Sequence, residues 1–279
     1  MTRSTKTLFA LGLIVAMPVV AFQFTFSTID PPGSASTFPF GINPQGDIVG
    51  NYVSGDVIRG FLLHEGHFTT IEFPGATATI VRRSNPERDV IGAFIDTHGI
   101  FHGFLLHEGA FTAIDFPGAT ATLAFGINPR LDIVGWYIDS GGVNHGFLLQ
   151  KGAFTTIDFP GSSLTRVFGI NSRGDIVGGY SSGDNTQTRA FLLHRGAFTA
   201  ITPPGSTSSF ALGINPQGDV VGGYTAGGVS HGFLLSNGGF TTIDPPGSAA
   251  TTATGISPEG EIVGFYVVGG VTHGFLAQR

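Results

Sequence analysis

Residues 154–161 read Phe-Thr-Thr-Ile-Asp-Phe-Pro-Gly, and close variants of this stretch occur five more times along the chain. Successive copies lie 42, 43, 43, 44 and 42 residues apart, measured between their last glycines. These glycines are Gly33, Gly75, Gly118, Gly161, Gly205 and Gly247. A period of this length, built from several short strands, is typical of β-propeller blades. The sequence therefore predicts a single domain at 22–279 with six repeats of about 43 residues.

Each repeat is expected to contain four short strands separated by turn residues. In the third repeat the strands are predicted at 122–128, 132–138, 144–149 and 154–158. Two-residue turns that end in glycine, such as Asn237-Gly238, join the third strand to the fourth. Large apolar residues fall on both faces of a strand, as in 111–114. Each sheet therefore needs a neighbour on either side, and a ring of blades supplies both.

The two-residue turns determine the register of the third and fourth strands. Counting outward from Glu108-Gly109 places His102 opposite Asp115, a base opposite an acid. The same count predicts the pairs Arg59 with Glu72, His102 with Asp115, His145 with Asp158, and His231 with Asp244. The fourth repeat departs from this rule because Arg189 faces Thr202. Each cross-strand pair is expected to contribute about 0.2–1 kcal/mol.

The chain begins with one strand to spare and ends one strand short. The last repeat stops at Arg279 without a fourth strand, whereas residues 25–30 resemble a fourth strand that no blade precedes. We predict that this strand completes the sixth blade and places Asp30 beside His273. The predicted fold is thus an all-β, six-bladed β-propeller of four-stranded antiparallel blades, closed by the N-terminal strand. Closure removes free strand edges that would favour aggregation.

The first residues have the composition of an export signal. Arg3 and Lys6 precede an apolar run at 8–21 that ends in Val-Val-Ala. We expect a signal peptide at 1–21, cleaved near Ala21, and a secreted or periplasmic protein. The run is too short to span a membrane permanently, so no span is expected after its removal. Loss of both cations from the 13 basic residues leaves 11 against 19 acidic ones, a net charge of −8 that argues against a nucleic-acid partner.

The repeat unit resembles one known family. Gly-Ile-Asn-x-x-Gly-x-Ile-Val-Gly-x-Tyr, then His-Gly-Phe-Leu, then Phe-Thr-x-Ile-Asp-x-Pro-Gly, is similar to the bacterial extracellular repeat called HAF, after its His-Ala-Phe signature. The equivalent triplets begin here at Arg59, His102, His145, Arg189, His231 and His273. The resemblance covers nearly all of 22–279 and implies residence outside the cytoplasm and a repeat fold. It implies no catalytic residues.

Departures from the repeat are candidate ligand-binding positions. Arg82 and Arg83 occupy positions that phenylalanine and glycine hold in the third repeat, and Arg166 occupies that of a leucine. Guanidiniums lining a central channel could hold a carboxylate or phosphate. The alternative is a structural role in which they pair with Glu87 or Asp89.

The loops between the second and third strands vary most among the repeats. They share one face with the Asp-x-Pro-Gly crossovers, and variable loops on a rigid scaffold often form a recognition surface. Their Asp, Asn, Ser and Gly content, with Trp136 and Tyr137 nearby, suits a polar ligand such as a glycan. Asp139 and Asn144 complete the candidate ligand-binding residues. The alternative is surface variation without a ligand.

Two stretches resemble a catalytic motif and a metal-binding motif. The stretch 179–183 matches the Gly-x-Ser-x-Gly pattern of serine hydrolases, but that motif requires a strand-to-helix turn and here a strand runs into a hairpin loop. Asp96, His98 and His102 have ligand-like spacing, yet other repeats offer no third histidine nearby. We therefore assign no catalytic residue, metal site or cofactor.

The predicted function is that of a non-enzymatic propeller that binds a polysaccharide, an envelope component or a protein through its loop-rich face. Acidic residues are spread evenly over the repeats, which favours binding over convergent catalysis. One alternative is a lyase or glycoside hydrolase with its site at the mouth of the central channel. The other is a structural scaffold only. We expect a monomer.

Overall fold

A computed structural model of the chain describes residues 24–183 and 187–279. It contains 24 strands and, within these residues, no helix. The strands form six four-stranded antiparallel sheets, and the first strand of each sheet contacts its counterparts in both neighbouring sheets. The predicted six-bladed β-propeller is therefore confirmed. The predicted signal peptide at 1–21 lies outside the described residues.

The first strand of the chain, β1 (Thr25–Ile29), belongs to the last blade. Blade 1 contains β2 (Ser36–Ile42), β3 (Ile48–Ser54), β4 (Val57–His64) and β5 (His67–Ile71). Blade 2 contains β6 (Ala78–Ser84), β7 (Val90–Ile95), β8 (Phe101–His107) and β9 (Ala110–Ile114). Blade 3 contains β10 (Ala121–Ile127), β11 (Ile133–Ile138), β12 (Asn144–Gln150) and β13 (Ala153–Ile157), within one residue of the predicted bounds.

Blade 4 contains β14 (Leu164–Ile170), β15 (Ile176–Ser181), β16 (Thr188–His194) and β17 (Ala197–Ile201). Blade 5 contains β18 (Ser208–Ile214), β19 (Val220–Ala226), β20 (Val229–Ser236) and β21 (Gly239–Ile243). Blade 6 contains β22 (Ala250–Ile256), β23 (Ile262–Val268), β24 (Val271–Gln278) and, as its outermost strand, β1.

The short turns set the register as the sequence predicts. Glu108 and Gly109 have φ values of 48° and 80°, the left-handed pair that a two-residue turn of type I′ requires. Leu106 then lies opposite Phe111, and Gly103 lies opposite Ile114. The side chains of the predicted acid–base pairs meet beyond these positions. Their separations are 3.0 Å for Arg59–Glu72, 2.8 Å for His102–Asp115, 3.0 Å for His145–Asp158 and 2.7 Å for His231–Asp244.

The core lies between the blades. One phenylalanine on the third strand of each blade is almost fully buried, and the six are Phe61, Phe104, Phe147, Phe191, Phe233 and Phe275. Phe147 of blade 3, for example, belongs to a cluster that includes Ile91 and Ile114 of blade 2. Each sheet thus buries apolar side chains on both faces, as the sequence pattern requires.

The inner strands approach one another closely around the axis. Each carries a bulge just before the same position of the repeat, as between Ala124 and Gly126. A Cβ on Gly126 would lie 3.0 Å from the backbone nitrogen of Ile170 in the next blade. Glycine occupies this position in five blades because neighbouring backbones leave no room for a side chain. Blade 2 is the exception, with Arg83.

The ring closes through the first strand of the chain. Strand β1 pairs with β24, with Thr28 opposite Phe275 and Ile29 opposite Gly274. The Nδ1 atom of His273 lies 2.7 Å from the Oδ2 atom of Asp30. The predicted closure is confirmed, and blade 6 is completed by residues from opposite ends of the chain.

Replacing Ile29 by alanine is expected to lower the free energy of unfolding by about 2–5 kcal/mol, because this buried side chain packs between blades 6 and 1. Urea unfolding of the protein without residues 1–21 measures the change. Ile157→Ala, at the equivalent position of blade 3, is the matched control and should cost a similar amount. A loss below about 0.5 kcal/mol for Ile29→Ala alone would show that β1 does not close the ring.

Candidate functional site

Two kinds of connection meet at one face of the propeller, here called the loop-rich face: the loops between second and third strands, and the crossovers between blades. The crossover after β9 turns at Gly118, whose φ of 78° favours glycine. Just beyond it, the backbone N–H of Thr120 donates to the carbonyl of Ile138, 2.8 Å away, at the end of β11. Equivalent backbone hydrogen bonds recur in the other blades. Each joins a crossover to the strand end that leads into the adjacent loop, and together they make this face rigid.

A cleft of about 150 Å³ lies between blades 5 and 6 on this face. Two aromatic side chains, one leucine and four serine or threonine side chains line it around a glycine. They are Phe210, Tyr224, Leu212, Ser208, Thr225, Ser230, Thr252 and Gly223. No charged residue contributes to the lining. The cleft thus offers ring surfaces and neutral polar groups to a ligand.

Three of the four serine and threonine hydroxyls of this cleft are available for bonding, whereas that of Ser208 donates to the carbonyl of Thr188. Within the described residues, the side-chain hydroxyls of Thr225, Ser230 and Thr252 make no hydrogen bond to another protein group. The Tyr224 hydroxyl, in contrast, lies 3.0 Å from Thr242 Oγ1, which holds its ring in place. A hydroxyl both donates and accepts, so three of them can adapt to a ligand that carries hydroxyls of its own.

The equivalent position between blades 3 and 4 is filled. Trp136 stands where blade 5 has Gly223, Arg166 where blade 6 has Thr252, and Asn144 where blade 5 has Ser230. The guanidinium of Arg166 lies 4.8 Å from the centre of the Trp136 ring, and its Nε donates to Asn144 Oδ1 at 3.0 Å. Burial lowers the pKa of Arg166. Three of the predicted ligand-binding residues are therefore brought together, and they pack on one another.

Tyr137 and Asp139 stabilise blade 3 and its loop. The Tyr137 ring is buried and stacks on Phe116, with 3.6 Å between ring centres. The Asp139 carboxylate accepts the backbone N–H groups of Val143 and Gly141, each at 2.8 Å. These hydrogen bonds, that of Val143 first, lower the pKa of Asp139.

Arg82 and Arg83 line the central channel. Arg82 lies between the rings of Phe40 and Phe125, and Arg83 donates to backbone carbonyls across the channel. The alternative pairing with Asp89 is not found, since that carboxylate lies 2.6 Å from His107 Nδ1. Among the described residues, neither arginine forms an ion pair with Glu87 or any other acid.

The opposite face carries a repeated polar arrangement that sequence reasoning interpreted only as a turn. Asn43 Oδ1 accepts the backbone N–H of Asp47 at 2.9 Å, and Asn43 Nδ2 donates to the Asp47 carboxylate at 3.0 Å. The same Asn–Asp bond recurs in the next four blades. The recurring Asn-x-x-x-Asp spacing is the sequence signal that could have revealed this arrangement. It assigns a structural role to one aspartate in each of five blades.

Metal and membrane features are absent from the described ranges 24–183 and 187–279. No group of three or more His, Cys, Asp or Glu side chains there is arranged to hold a metal ion. The Oδ2 atom of Asp96 lies 3.4 Å from His98 Nδ1 and 3.6 Å from His102 Nε2, but these three side chains are not arranged to hold a metal ion. Within the same ranges, no helix has the length and apolar character to cross a membrane.

Comparison with known proteins supports the architecture. The chain is a β-propeller. No family model matches it, and no curated protein matches it. Solved structures match at low identity: virginiamycin B lyase from Staphylococcus aureus is 14% identical, with a TM-score of 0.51, over 92% of this chain and 100% of that one.

A lectin from Aleuria aurantia, in complex with Fucα1-6GlcNAc, is 13% identical, with a TM-score of 0.54, over 89% of this chain and 97% of that one. A putative gluconolactonase is 15% identical, with a TM-score of 0.53, over 91% of this chain and 92% of that one. At these identities the likeness extends to the fold alone, so function has to be argued from the side chains.

Acid is expected to destabilise the protein through the buried carboxyls of the opposite face. Burial opposes the ionisation of Asp47, but hydrogen bonds from Asn43, His64 and Arg88 outweigh it and lower the pKa below its ordinary value of 3.8. The pKa of Asp132 and that of Asp175 are lowered in the same way. A lowered folded-state pKa means that the stability contributed above pH 3.8 is lost as the pH falls through the folded-state value.

The melting temperature should accordingly fall between about pH 4 and pH 2, measured by differential scanning calorimetry. Asp47→Asn is expected to be less stable at pH 7 and to show a shallower fall in acid. A melting temperature that stays constant from pH 6 to pH 2 would contradict this role of the carboxyls.

Proposed function

We propose that the mature protein is a non-enzymatic binding propeller, secreted or periplasmic, that holds a neutral glycan in the cleft between blades 5 and 6. The observation that supports this most directly is the combination of Phe210 and Tyr224 with three hydroxyl groups that make no hydrogen bond to any of the described residues. A sugar ring has apolar C–H faces and a rim of hydroxyls, and it matches both parts of this lining.

The charge of the protein favours a neutral ligand. The cleft contains no charged side chain, and the chain from residue 22 onward has a net charge of −8 by the count given above. A polyanionic glycan would be repelled by the protein as a whole and would find no cation in the cleft. Neutral polysaccharides and neutral glycans on envelope components are therefore the ligands that fit.

The lining also argues for binding rather than hydrolysis. Glycoside hydrolysis ordinarily uses two carboxyl groups about 5–10 Å apart on either side of the scissile bond. No acid lines the cleft, and Asp244, in the same blade, lies 2.7 Å from His231. The lectin from Aleuria aurantia, a propeller with a disaccharide bound, supports the idea that this architecture suits sugar binding.

Filling the cleft is expected to abolish binding. Gly223→Trp copies the residue that blade 3 has at this position, and the added Cβ would contact Thr252 at an ordinary 3.4 Å. We expect wild-type protein to bind neutral glycans on an array and the variant to bind them at least about tenfold more weakly, ~1.4 kcal/mol. Isothermal titration calorimetry with the best array ligand gives the ratio.

Gly239→Trp is the matched control. This glycine lies in the same blade on the exposed outer strand β21, and its added Cβ would meet only the carbonyl oxygen of Ser236 at 3.6 Å. The control should bind like wild type. Equal affinity of all three proteins would refute the cleft as the site, and turnover of array ligands in a hydrolase and lyase screen would refute the non-enzymatic assignment.

Export can be tested on the full chain. The resemblance to HAF repeats and the composition of 1–21 both support removal of this segment outside the cytoplasm. Expressed in bacteria, the protein should be recovered from the periplasm or medium with Phe22 as its first residue, as measured by intact mass. A chain expressed from residue 22 should stay in the cytoplasm, and recovery of an uncleaved full-length protein would contradict the proposal.

A further inference from the structure

The central channel contains two adjacent cations that form no ion pair with any residue of 24–183 or 187–279. Arg82 and Arg83 follow one another on β6, the inner strand of blade 2. In the part of the chain that the structure describes, no carboxylate lies within 4.0 Å of either guanidinium. The channel residues around them from the other blades are isoleucine, glycine, phenylalanine, leucine and threonine, all of them neutral.

Arg82 is held by aromatic rings. Its guanidinium carbon lies 4.2 Å from the centre of the Phe40 ring and 4.5 Å from that of Phe125, so the cation is sandwiched between blades 1 and 3. Its Nε atom is buried and has no hydrogen-bond partner. Burial and the neighbouring charge of Arg83 lower the pKa of Arg82 to about 9, and burial lowers that of Arg83 to about 10. Both side chains remain charged at neutral pH.

Arg83 reaches across the axis. Its Nη2 atom donates to the carbonyls of Leu212 in blade 5, at 2.7 Å, and Thr254 in blade 6, at 2.5 Å. Its Nη1 atom is buried without a partner, and so is the hydroxyl of Ser84, the next residue. Arg83 and Ser84 both line a cavity of about 80 Å³ on the channel axis, which is otherwise lined by isoleucines and glycines from the other five blades.

The carbonyl groups of Leu212 and Thr254 carry only partial negative charges, which do not neutralise the buried positive charges of Arg82 and Arg83. Removing an ion from water is unfavourable unless an opposite charge and hydrogen bonds replace the water. The two unpartnered donors, Arg83 Nη1 and the Ser84 hydroxyl, belong to adjacent residues that line the same cavity. Unpartnered donors and uncompensated positive charge are what an anion-binding site supplies.

We propose that a small anion, from chloride to phosphate in size, binds in this cavity on the axis of the propeller, between Arg83 and the Ser84 hydroxyl. The cavity volume excludes a glycan, so the site is separate from the cleft between blades 5 and 6. Because Arg83 already joins blade 2 to blades 5 and 6, the anion fixes an arginine that links opposite sides of the ring. Its role is to stabilise the closed propeller.

The test is thermal unfolding of the protein without residues 1–21 in sodium HEPES and gluconate, whose anions are too bulky for the cavity. Chloride, phosphate or acetate replaces gluconate at constant ionic strength. With a bound anion, the melting temperature should rise by roughly 3–5 °C for each tenfold increase in concentration above saturation. The anion that acts at the lowest concentration identifies the ligand, and calorimetric titration should give one site per chain.

The repeat itself supplies the matched variant. Arg82→Phe with Arg83→Gly copies the residues of blade 3 at these positions, and this double variant should lose the anion-dependent rise while keeping glycan binding. Ser84→Ile copies the other blades and should weaken the response. Arg195→Ala, in an exposed turn, should leave it unchanged.

Three results would overturn the proposal. The first is no melting response and no binding heat in the wild-type protein with any of the three anions. The second is an equal response in wild type and the double variant, which would mark a general salt effect. The third applies if the double variant does not fold, and it uses the broadening of the chloride-35 NMR line by the protein. Equal broadening by the wild type and Ser84→Ile would place the anion elsewhere.

Discussion

The pairing of β1 with β24 is the constraint on which the rest of the molecule depends. A blade buries apolar side chains on both faces, so each blade is stable only between two others, and a row of six would leave two apolar faces in water. Ile29, Phe275 and the hydrogen-bonded pair of Asp30 and His273 turn that row into a ring. Without cysteine, the join is held by packing and hydrogen bonds alone.

Closure also creates the crowded axis and thereby determines where side chains can depart from the repeat. Six inner strands converge so closely that five blades need glycine at the bulge, as at Gly126. Arg83 is accommodated because its side chain leaves the strand and runs across the channel to blades 5 and 6. Farther from the axis the blades diverge, and small residues such as Gly223 leave a cleft between them. A single repeat thus yields two different environments, one at the axis and one between blades.

Much of the fold follows from the sequence because its decisive features are local. The turn at Glu108-Gly109 determines the strand register, and the spare strand at the N-terminus matches a missing one at the C-terminus. The cleft could not be predicted in this way. It arises because three small residues, Gly223, Ser230 and Thr252, lie next to one another on two blades. Small residues are common throughout this sequence, so none of them indicates a binding site by itself.

The aromatic and charged residues that were predicted to bind a ligand show why the site differs from the prediction. Trp136, the only tryptophan, resembles a ligand-stacking residue in sequence, yet it fills the space between blades 3 and 4 and stacks with Arg166. A large side chain in a repeat position occupies the volume that a ligand would need, whereas its replacement by glycine releases that volume. In a propeller built from one repeated unit, a cleft for a ligand is therefore expected where a small residue replaces a large one. A site for a small anion is expected where a cationic side chain replaces glycine.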